Sequence, residues 1–219
     1  MDPQPAVTCQ HTDIDINPDF LRTIDLIENS REHLFITGRA GTGKSTFLNY
    51  YRSITKRKIV VLAPTGVAAV NVGGQTIHSF FNFKPDITPQ TVSSVKIRPD
   101  SVNLYKKLQV IVIDEVSMAR ADLIDCMDIF LRLYGPRNNE AFGGVQMVMM
   151  GDLFQLPPVV LPAERTIFQS LYTSPFFFGA HVFKGINIKI VEFERNYRQK
   201  DDTFLELLDA VRTDRLTTR

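Results

Sequence analysis

The run GRAGTGKS (38–45) has the residue types and the spacing of a loop that binds phosphate groups. Its glycines permit backbone conformations that turn amide N–H groups inward, and the start of the next helix adds the positive end of its dipole. Lys44 would contact the β- and γ-phosphates of ATP, and the Ser45 hydroxyl would ligate Mg²⁺. The predicted ATP-binding residues are Gly38, Arg39, Ala40, Gly41, Thr42, Gly43, Lys44, Ser45 and Thr46. A glycine-rich turn with an incidental lysine is the alternative, and the apolar strand and the helix that flank the loop disfavour it.

Two acids, Asp114 and Glu115, directly follow the apolar run VIVI (110–113). This places them at the carboxyl end of a predicted strand, the edge at which open parallel sheets bind ligands. Asp114 would hold Mg²⁺, and Glu115 would orient and deprotonate the water that attacks the γ-phosphate. A pair of solvated acids at a strand end is the alternative, and it is disfavoured beside a complete phosphate-binding loop.

Two further segments carry side chains that suit phosphoryl transfer. GDLFQLPPV (151–159) offers Gln155, an amide able to contact both a γ-phosphate and a water, although such a glutamine often only holds a loop together. FERNYRQ (193–199) offers Arg195 and Arg198, either of which could neutralise charge on the transferred group or form a surface salt bridge. Spacing alone does not choose between the two arginines.

The segments around these residues alternate between apolar strands and helical patterns. The predicted strands are HLFITG (33–38), KIVVLAP (58–64), VIVIDEVS (110–117), QMVMMGD (146–152) and INIKIVEF (186–193). Helices are predicted over 19–29, 43–54 and 121–134, as short pieces over 66–81, and in the final segment. The alternation predicts an α/β fold with a central, mainly parallel sheet flanked by helices.

Two stretches interrupt this alternation, and the start of the chain lacks it. The segments 81–100 and 153–183 are predicted surface excursions. Residues 1–18 are predicted to be a flexible arm, and residues 19–219 a single ATPase domain.

Composition limits the partners and the compartment only loosely. The 25 basic and 24 acidic side chains nearly cancel, so charge argues neither for nor against nucleic acid. The N-terminus lacks the features of a secretory signal, and no apolar stretch approaches membrane-span length. Two cysteines give no disulfide framework, which favours a reducing, intracellular location.

The order of five segments resembles the superfamily one helicases of the Pif type over about residues 16 to 212. These segments are GRAGTGKS, LAPTGVAAVNVGGQTIHSFF, VIVIDEVSM, MMGDLFQLPPV and FERNYRQ. The resemblance implies a RecA-like first motor domain that uses ATP and Mg²⁺ and, with a second such domain of the same polypeptide, moves 5′ to 3′ along single-stranded DNA. It further implies forked or structured DNA as substrate, a monomer, and a role in DNA repair, recombination or telomere maintenance. The expected compartment is the cytoplasm or nucleoid of a bacterium, or the nucleus or mitochondrion of a eukaryote.

The resemblance also assigns roles to single residues. Gln155 resembles the γ-phosphate sensor of the family, and Arg198 its first-domain arginine finger. DNA-side positions of the family correspond to Pro64, Thr65, Gly66, His78 and Phe80. From the residues alone, Thr65 could instead cap a helix, and His78 and Phe80 could belong to the core.

The sequence departs from the family pattern at two places. Phe20 stands where the family usually has a glutamine that reads adenine, which leaves the recognition of the base open. The chain also ends at Arg219, before a second RecA-like domain, which we interpret as an end within a longer protein.

Two other functional classes are compatible with a phosphate-binding loop. One is a nucleotide-dependent switch that acts on a protein partner; the absence of an NKxD-type guanine-reading motif argues against its GTPase form. The other is a phosphate-binding scaffold without catalysis. The presence of both Lys44 and Glu115 argues against it, because an inactive site needs no base.

Overall fold

The computed structural model of the chain describes residues 16–195 and Ala210. Six strands form one sheet: β1 (His33–Gly38), β2 (Ile59–Ala63), β3 (Gln75–Thr76), β4 (Val110–Ile113), β5 (Gln146–Met150) and β6 (Ile188–Phe193). Seven α-helices lie within the described residues: α1 (Pro18–Asn29), α2 (Lys44–Ile54), α3 (Gly66–Asn71), α4 (Ile77–Phe81), α5 (Pro99–Lys107), α6 (Ala121–Tyr134) and α7 (Arg165–Leu171). Short 3₁₀ turns connect several of these elements.

The sheet has the strand order β3-β2-β4-β5-β1-β6, and each of its pairings is parallel. Because all pairings are parallel, consecutive strands are joined by crossover connections, and helices pack on both faces of the sheet. The predicted α/β fold with a mainly parallel sheet is therefore confirmed. No helix within residues 16–195 is long and apolar enough to cross a membrane.

Strand residues alternate between two apolar cores because successive side chains point to opposite faces of a sheet. In β4, Val110 and Val112 face a core built with α1 and α2, whereas Ile111 and Ile113 face a second core built around α6. All four side chains are buried. This explains why the central strands are continuous apolar runs in the sequence.

The first helix illustrates how local residues set its start. Asn17 precedes the helix, and its side chain accepts a hydrogen bond from the Phe20 backbone N–H at 2.8 Å, while Pro18 occupies the first helical position. The ring of Phe20 is 1% exposed and packs against Phe47 and Phe193. Phe20, which the family resemblance aligns with an adenine-reading glutamine, is thus a core residue with a buried ring.

Three differences from the sequence-based prediction concern short elements. β3 is an additional two-residue strand, and α5 lies in and beyond a segment that was predicted to be an excursion. The excursion over 153–183 contains α7. The described residues do not include residues 1–15 of the predicted arm or nearly all of the predicted final helix. The last residue of the predicted arm, Pro18, is already the first residue of α1.

Candidate nucleotide-binding site

The phosphate loop (38–45) connects β1 to α2 and is held by bonds among its own residues. Gly38, Gly41 and Gly43 all have positive φ angles, of 153°, 86° and 86°. Lys44 Nζ donates to the carbonyl oxygens of Gly38 at 2.6 Å and Arg39 at 3.1 Å. The lysine ammonium is therefore folded over the loop, where an anionic oxygen could replace these neutral acceptors.

Gly38 is the tightest point of the phosphate loop. A Cβ added there would lie 2.6 Å from the Phe193 backbone oxygen and 2.6 Å from Thr42 Oγ1. Thr42 itself is buried, and its hydroxyl donates to the Arg39 carbonyl oxygen at 2.9 Å. Gly38 and Thr42 thus shape the loop from behind.

The acidic pair follows β4 directly. The Asp114 backbone N–H donates to the Leu62 carbonyl oxygen at 2.9 Å, and the Asp114 side chain is 7% exposed. Burial raises the pKa of the Asp114 carboxyl, against the lowering influence of a hydrogen bond from the Glu115 backbone and of the Lys44 charge. The lysine of the phosphate loop and the buried aspartate are thus close enough to interact electrostatically.

Glu115 adopts an unusual backbone conformation, with φ 51° and ψ 41°. A non-glycine residue in this left-handed region stores strain of about 1–3 kcal/mol, and such residues cluster at functional sites. Burial raises the pKa of the Glu115 carboxyl, and the nearby charges of Asp114 and Asp152 raise it further, whereas Lys44 lowers it. A carboxyl with a raised pKa is a stronger base than an ordinary glutamate.

One cavity of about 290 Å³ brings the predicted residues together. Its lining residues come from the phosphate loop, the start of α2, the acidic pair and the segment after β5. They are Ala40, Gly41, Gly43, Lys44, Ser45, Thr46, Glu115 and Gln155. Six of the nine predicted ATP-binding residues therefore line a common cavity with Glu115 and Gln155, and Asp114 is buried beside it.

Sequence reasoning missed two polar residues of this region. Asp152 lies two residues after the end of β5 and is 2% exposed; its carboxylate accepts from the Phe154 N–H at 3.1 Å. The available signal was an acid close to the carboxyl end of a predicted strand. Ser117 is fully buried, and its hydroxyl has no hydrogen-bond partner among the described residues. Nothing in the sequence indicated that state.

The predicted arginine finger, Arg198, lies outside the described residues. The predicted DNA-side residues after β2 are described: Pro64 and Thr65 are partly buried and Gly66 is exposed. The Thr65 hydroxyl accepts from the Ala68 N–H at 3.3 Å, which is the helix-capping alternative. DNA contact through the backbone of this segment stays a prediction.

The two predicted DNA-side residues in α4 differ in exposure. His78 is partly buried, and burial lowers the pKa of its imidazole against a raising influence of Asp122. Phe80 is 8% exposed, and its ring packs edge-on against Phe81 and Tyr105 with centroids 5.0 and 5.4 Å apart. Because its ring lies in the core, the core alternative describes Phe80, and the predicted stacking on a base is not supported.

A parallel sheet with a glycine-rich phosphate loop after β1 and an acidic pair after β4 defines a nucleoside-triphosphate-binding domain of the P-loop type. The family model of the PIF1-like helicases matches residues 19–218. The chain belongs to this family.

Known relatives agree with this assignment. The chain is 32% identical over 203 residues to the ATP-dependent DNA helicase RRM3 of Saccharomyces cerevisiae, covering 90% of this chain and 27% of that protein. It is 36% identical over 187 residues to the ATP-dependent DNA helicase PIF1 of Homo sapiens, covering 84% and 28%. The chain thus spans about a quarter of the length of these relatives.

Solved structures give the same result in three dimensions. The Bacteroides Pif1 helicase in complex with ADP-AlF3 and ssDNA is 39% identical, with a TM-score of 0.87 over 94% of this chain and 48% of that chain. The Pif1 helicase from Candida albicans is 30% identical, with a TM-score of 0.74 over 90% and 44%. The chain therefore corresponds to about half of each helicase structure.

Proposed function

We propose that this chain is the ATP-binding and ATP-hydrolysing first motor domain of a 5′-to-3′ DNA helicase. The observation that carries the proposal is the cavity shared by Lys44, Ser45, Glu115 and Gln155. A phosphate cradle, a carboxylate base and a neutral amide that face one space are the groups that hydrolysis of a γ-phosphate requires. The names of the relatives, which are ATP-dependent DNA helicases, support the same activity.

The residues present fit Mg²⁺ and the phosphates of ATP. Ser45 offers a hydroxyl in the cavity and Asp114 a carboxylate beside it, and Mg²⁺ prefers such oxygen ligands. When bound, Mg²⁺ neutralises charge on the β- and γ-phosphates. Lys44 exchanges its two carbonyl acceptors for phosphate oxygens. Burial raises the pKa of Asp114, but a bound cation would favour the ionised carboxylate and so offset this effect.

Two residues act on the attacking water and the transferred group. Glu115 accepts the proton of the water, since its carboxyl lines the cavity and has a raised pKa. Gln155 donates its amide N–H to the γ-phosphate and accepts from the same water. Arg198 supplies a guanidinium to the phosphoryl group, an assignment that rests on the family resemblance alone.

DNA and a second motor domain complete the proposed machine. Single-stranded and forked DNA bind along the backbone of Thr65 and Gly66 and near His78, and hydrolysis is coupled to closure against a second RecA-like domain of the same polypeptide. This arrangement is supported by the comparison with helicase structures, because the chain covers only about half of each of them. The motor acts as a monomer in a compartment that contains DNA.

The test compares ATP hydrolysis, with and without single-stranded DNA, in this chain and in a chain extended through the second motor domain. We expect strong stimulation only in the longer chain, because loss of an arginine finger lowers turnover about 10³-fold or more. Lys44→Ala should abolish nucleotide binding, and Glu115→Gln should bind nucleotide but not turn over. Lys106→Ala, an exposed lysine of α5, is the matched control. Hydrolysis indifferent to DNA in both chains would favour a protein-directed switch and contradict the proposal.

A further inference from the structure

A second concave surface of the domain collects positive charge. A groove of about 560 Å³ is lined by the end of α2, the start of β2 and the last turns of α5. Its charged lining residues are Arg52, Arg57, Lys58 and Lys107, and the described residues that line it include no carboxylate. We refer to these four residues and their surroundings as the basic groove. Because basic and acidic side chains number 25 and 24 in the whole chain, the groove is a local excess of charge.

The basic groove is separate from the nucleotide cavity. The phosphate loop follows the carboxyl end of β1, whereas the groove includes Ile59, the first residue of β2, at the opposite edge of a parallel sheet. α2 begins at Lys44 and carries Arg52 in its last turn, which separates the two along the helix axis by about 12 Å. The groove and the nucleotide cavity therefore lie at opposite edges of the sheet and share no lining residue.

Within the part of the chain that the structure describes, no carboxylate forms an ion pair with the charged residues of the groove. Arg52 donates to the carbonyl oxygens of Val72 and Gly73, and Arg57 donates to the Ile27 carbonyl oxygen and to Gln146 Oε1. These acceptors are uncharged, so both guanidinium groups keep their full charge. The bonds also hold the two guanidinium groups in place at the groove wall.

The two lysines are available for a ligand. Lys58 and Lys107 are exposed, and neither ammonium group has a hydrogen bond or an ion pair among the described residues. Four cations around one concave surface repel one another, and an anion seated between them removes that repulsion. The groove therefore selects for a ligand with several negative charges.

Apolar surface lies between the charges. Leu104 is 52% exposed and lines the groove together with Ile59. A nucleic-acid strand combines regularly spaced phosphates with sugars and bases that pack on apolar surface. We propose that the basic groove binds the phosphate backbone of a DNA strand as a contact additional to the predicted DNA-side residues after β2. This inference rests on the proposed function for the identity of the nucleic acid.

The test uses two double variants of the full chain that remove the same charge. Lys58→Ala/Lys107→Ala removes the two unpaired cations of the groove, and Lys56→Ala/Lys106→Ala removes exposed neighbours that do not line it. Affinity for a labelled oligothymidylate is measured by fluorescence anisotropy over a series of salt concentrations. Thermal melting and binding of an ATP analogue confirm that each variant is folded.

We expect the groove variant to weaken binding and to flatten its salt dependence. Two lost phosphate contacts on a single strand lower the slope of log K against log salt by about 1.4, which corresponds to about 25-fold weaker binding at 0.1 M salt. The control variant should keep the wild-type slope, because Lys56 and Lys106 do not line the groove and so make no phosphate contact with a strand bound in it.

Three results would overturn the inference. Equal slopes for the groove variant and the control, with the wild-type chain binding the oligonucleotide, would place the contact elsewhere and leave the proposed function intact. Binding of polyglutamate of equal charge more tightly than the oligonucleotide, with the same loss in the groove variant, would make the groove a site for acidic protein segments. Failure of the wild-type chain to bind the oligonucleotide at all would contradict this inference, whereas the proposed function, which requires the second motor domain, is tested separately by ATP hydrolysis in the extended chain.

Discussion

Replacement of Gly38 by alanine tests whether the phosphate loop depends on one close backbone approach. Gly38 has a φ of 153°, and an added Cβ would lie 2.6 Å from the Phe193 carbonyl oxygen. That oxygen belongs to the last residue of β6, which pairs with Gly38 itself, so it cannot move without opening the strand pair. The second contact, with Thr42 Oγ1 at 2.6 Å, can be relieved only by turning a buried hydroxyl away from its acceptor.

Two terms add in this substitution. A non-glycine residue in a sparsely populated backbone region costs about 1–3 kcal/mol, and overpacking by one methyl costs about 1–3 kcal/mol. The expected loss is about 2–6 kcal/mol, which lowers the Tm of a domain of this size by about 4 °C or more. Nucleotide affinity should fall as well, because the oxygens that hold Lys44 belong to Gly38 and Arg39.

The assay is denaturant and thermal unfolding of the full chain, with Gly66→Ala as the matched control. A Cβ at Gly66 meets no atom within 4 Å, and the residue is the first of helix α3. Alanine there should be neutral or stabilise by up to about 1 kcal/mol. If Gly38→Ala stays within about 0.5 kcal/mol of the wild type, or the two variants lose equal stability, the close approach at Gly38 does not constrain the loop.

Three further substitutions test other contacts. The pKa of Glu115 is raised in the folded state, so ionisation of this carboxyl destabilises the fold as pH rises through that pKa. Glu115→Gln should therefore be more stable than the wild type at neutral pH but not in acid. A difference in Tm that does not depend on pH would contradict this. Phe80→Ala should destabilise by about 3–5 kcal/mol as a core truncation, and a loss of DNA affinity without loss of stability would instead place the ring at a DNA surface. Asn17→Ala should lower the free energy of unfolding by about 1 kcal/mol, because its side chain accepts the Phe20 N–H of helix α1; unchanged denaturation curves would show that the cap does not stabilise the helix.

The elements that the sequence predicted well are those with strong local patterns. The helix over 121–134 has the predicted bounds, since its apolar residues recur at helical spacing and nine of its residues are buried. The missed elements depend on distant contacts. β3 is two residues long and pairs with the end of β2, and α5 is fixed by the Tyr105 hydroxyl, which donates to the Phe80 carbonyl oxygen at 2.6 Å. A pattern within the segment cannot indicate such a partner.

The same distinction applies to the candidate site. The sequence predicted that the phosphate loop and the acidic pair end strands at one edge of the sheet, because parallel strands share that edge. It did not predict that β5 lies between β4 and β1, which brings Gln155 into the cavity beside the loop. Asp152 was missed for the same reason, as its closeness to Glu115 depends on β4 and β5 being neighbours.

Glu115 has a strained backbone and a carboxyl with a raised pKa, and both are unfavourable for the stability of the fold. Its backbone is in the left-handed region, and its carboxyl is held near Asp114 and Asp152 in a partly buried site that raises its pKa. An asparagine or glycine would fit this backbone with less strain, and a glutamine would avoid the charge. None of these three residues could accept a proton from water. A raised pKa brings the carboxyl closer to neutral pH, at which a base is most effective. The strain and the charge therefore support the proposed role of Glu115 as general base, at a position where the fold alone would favour another residue.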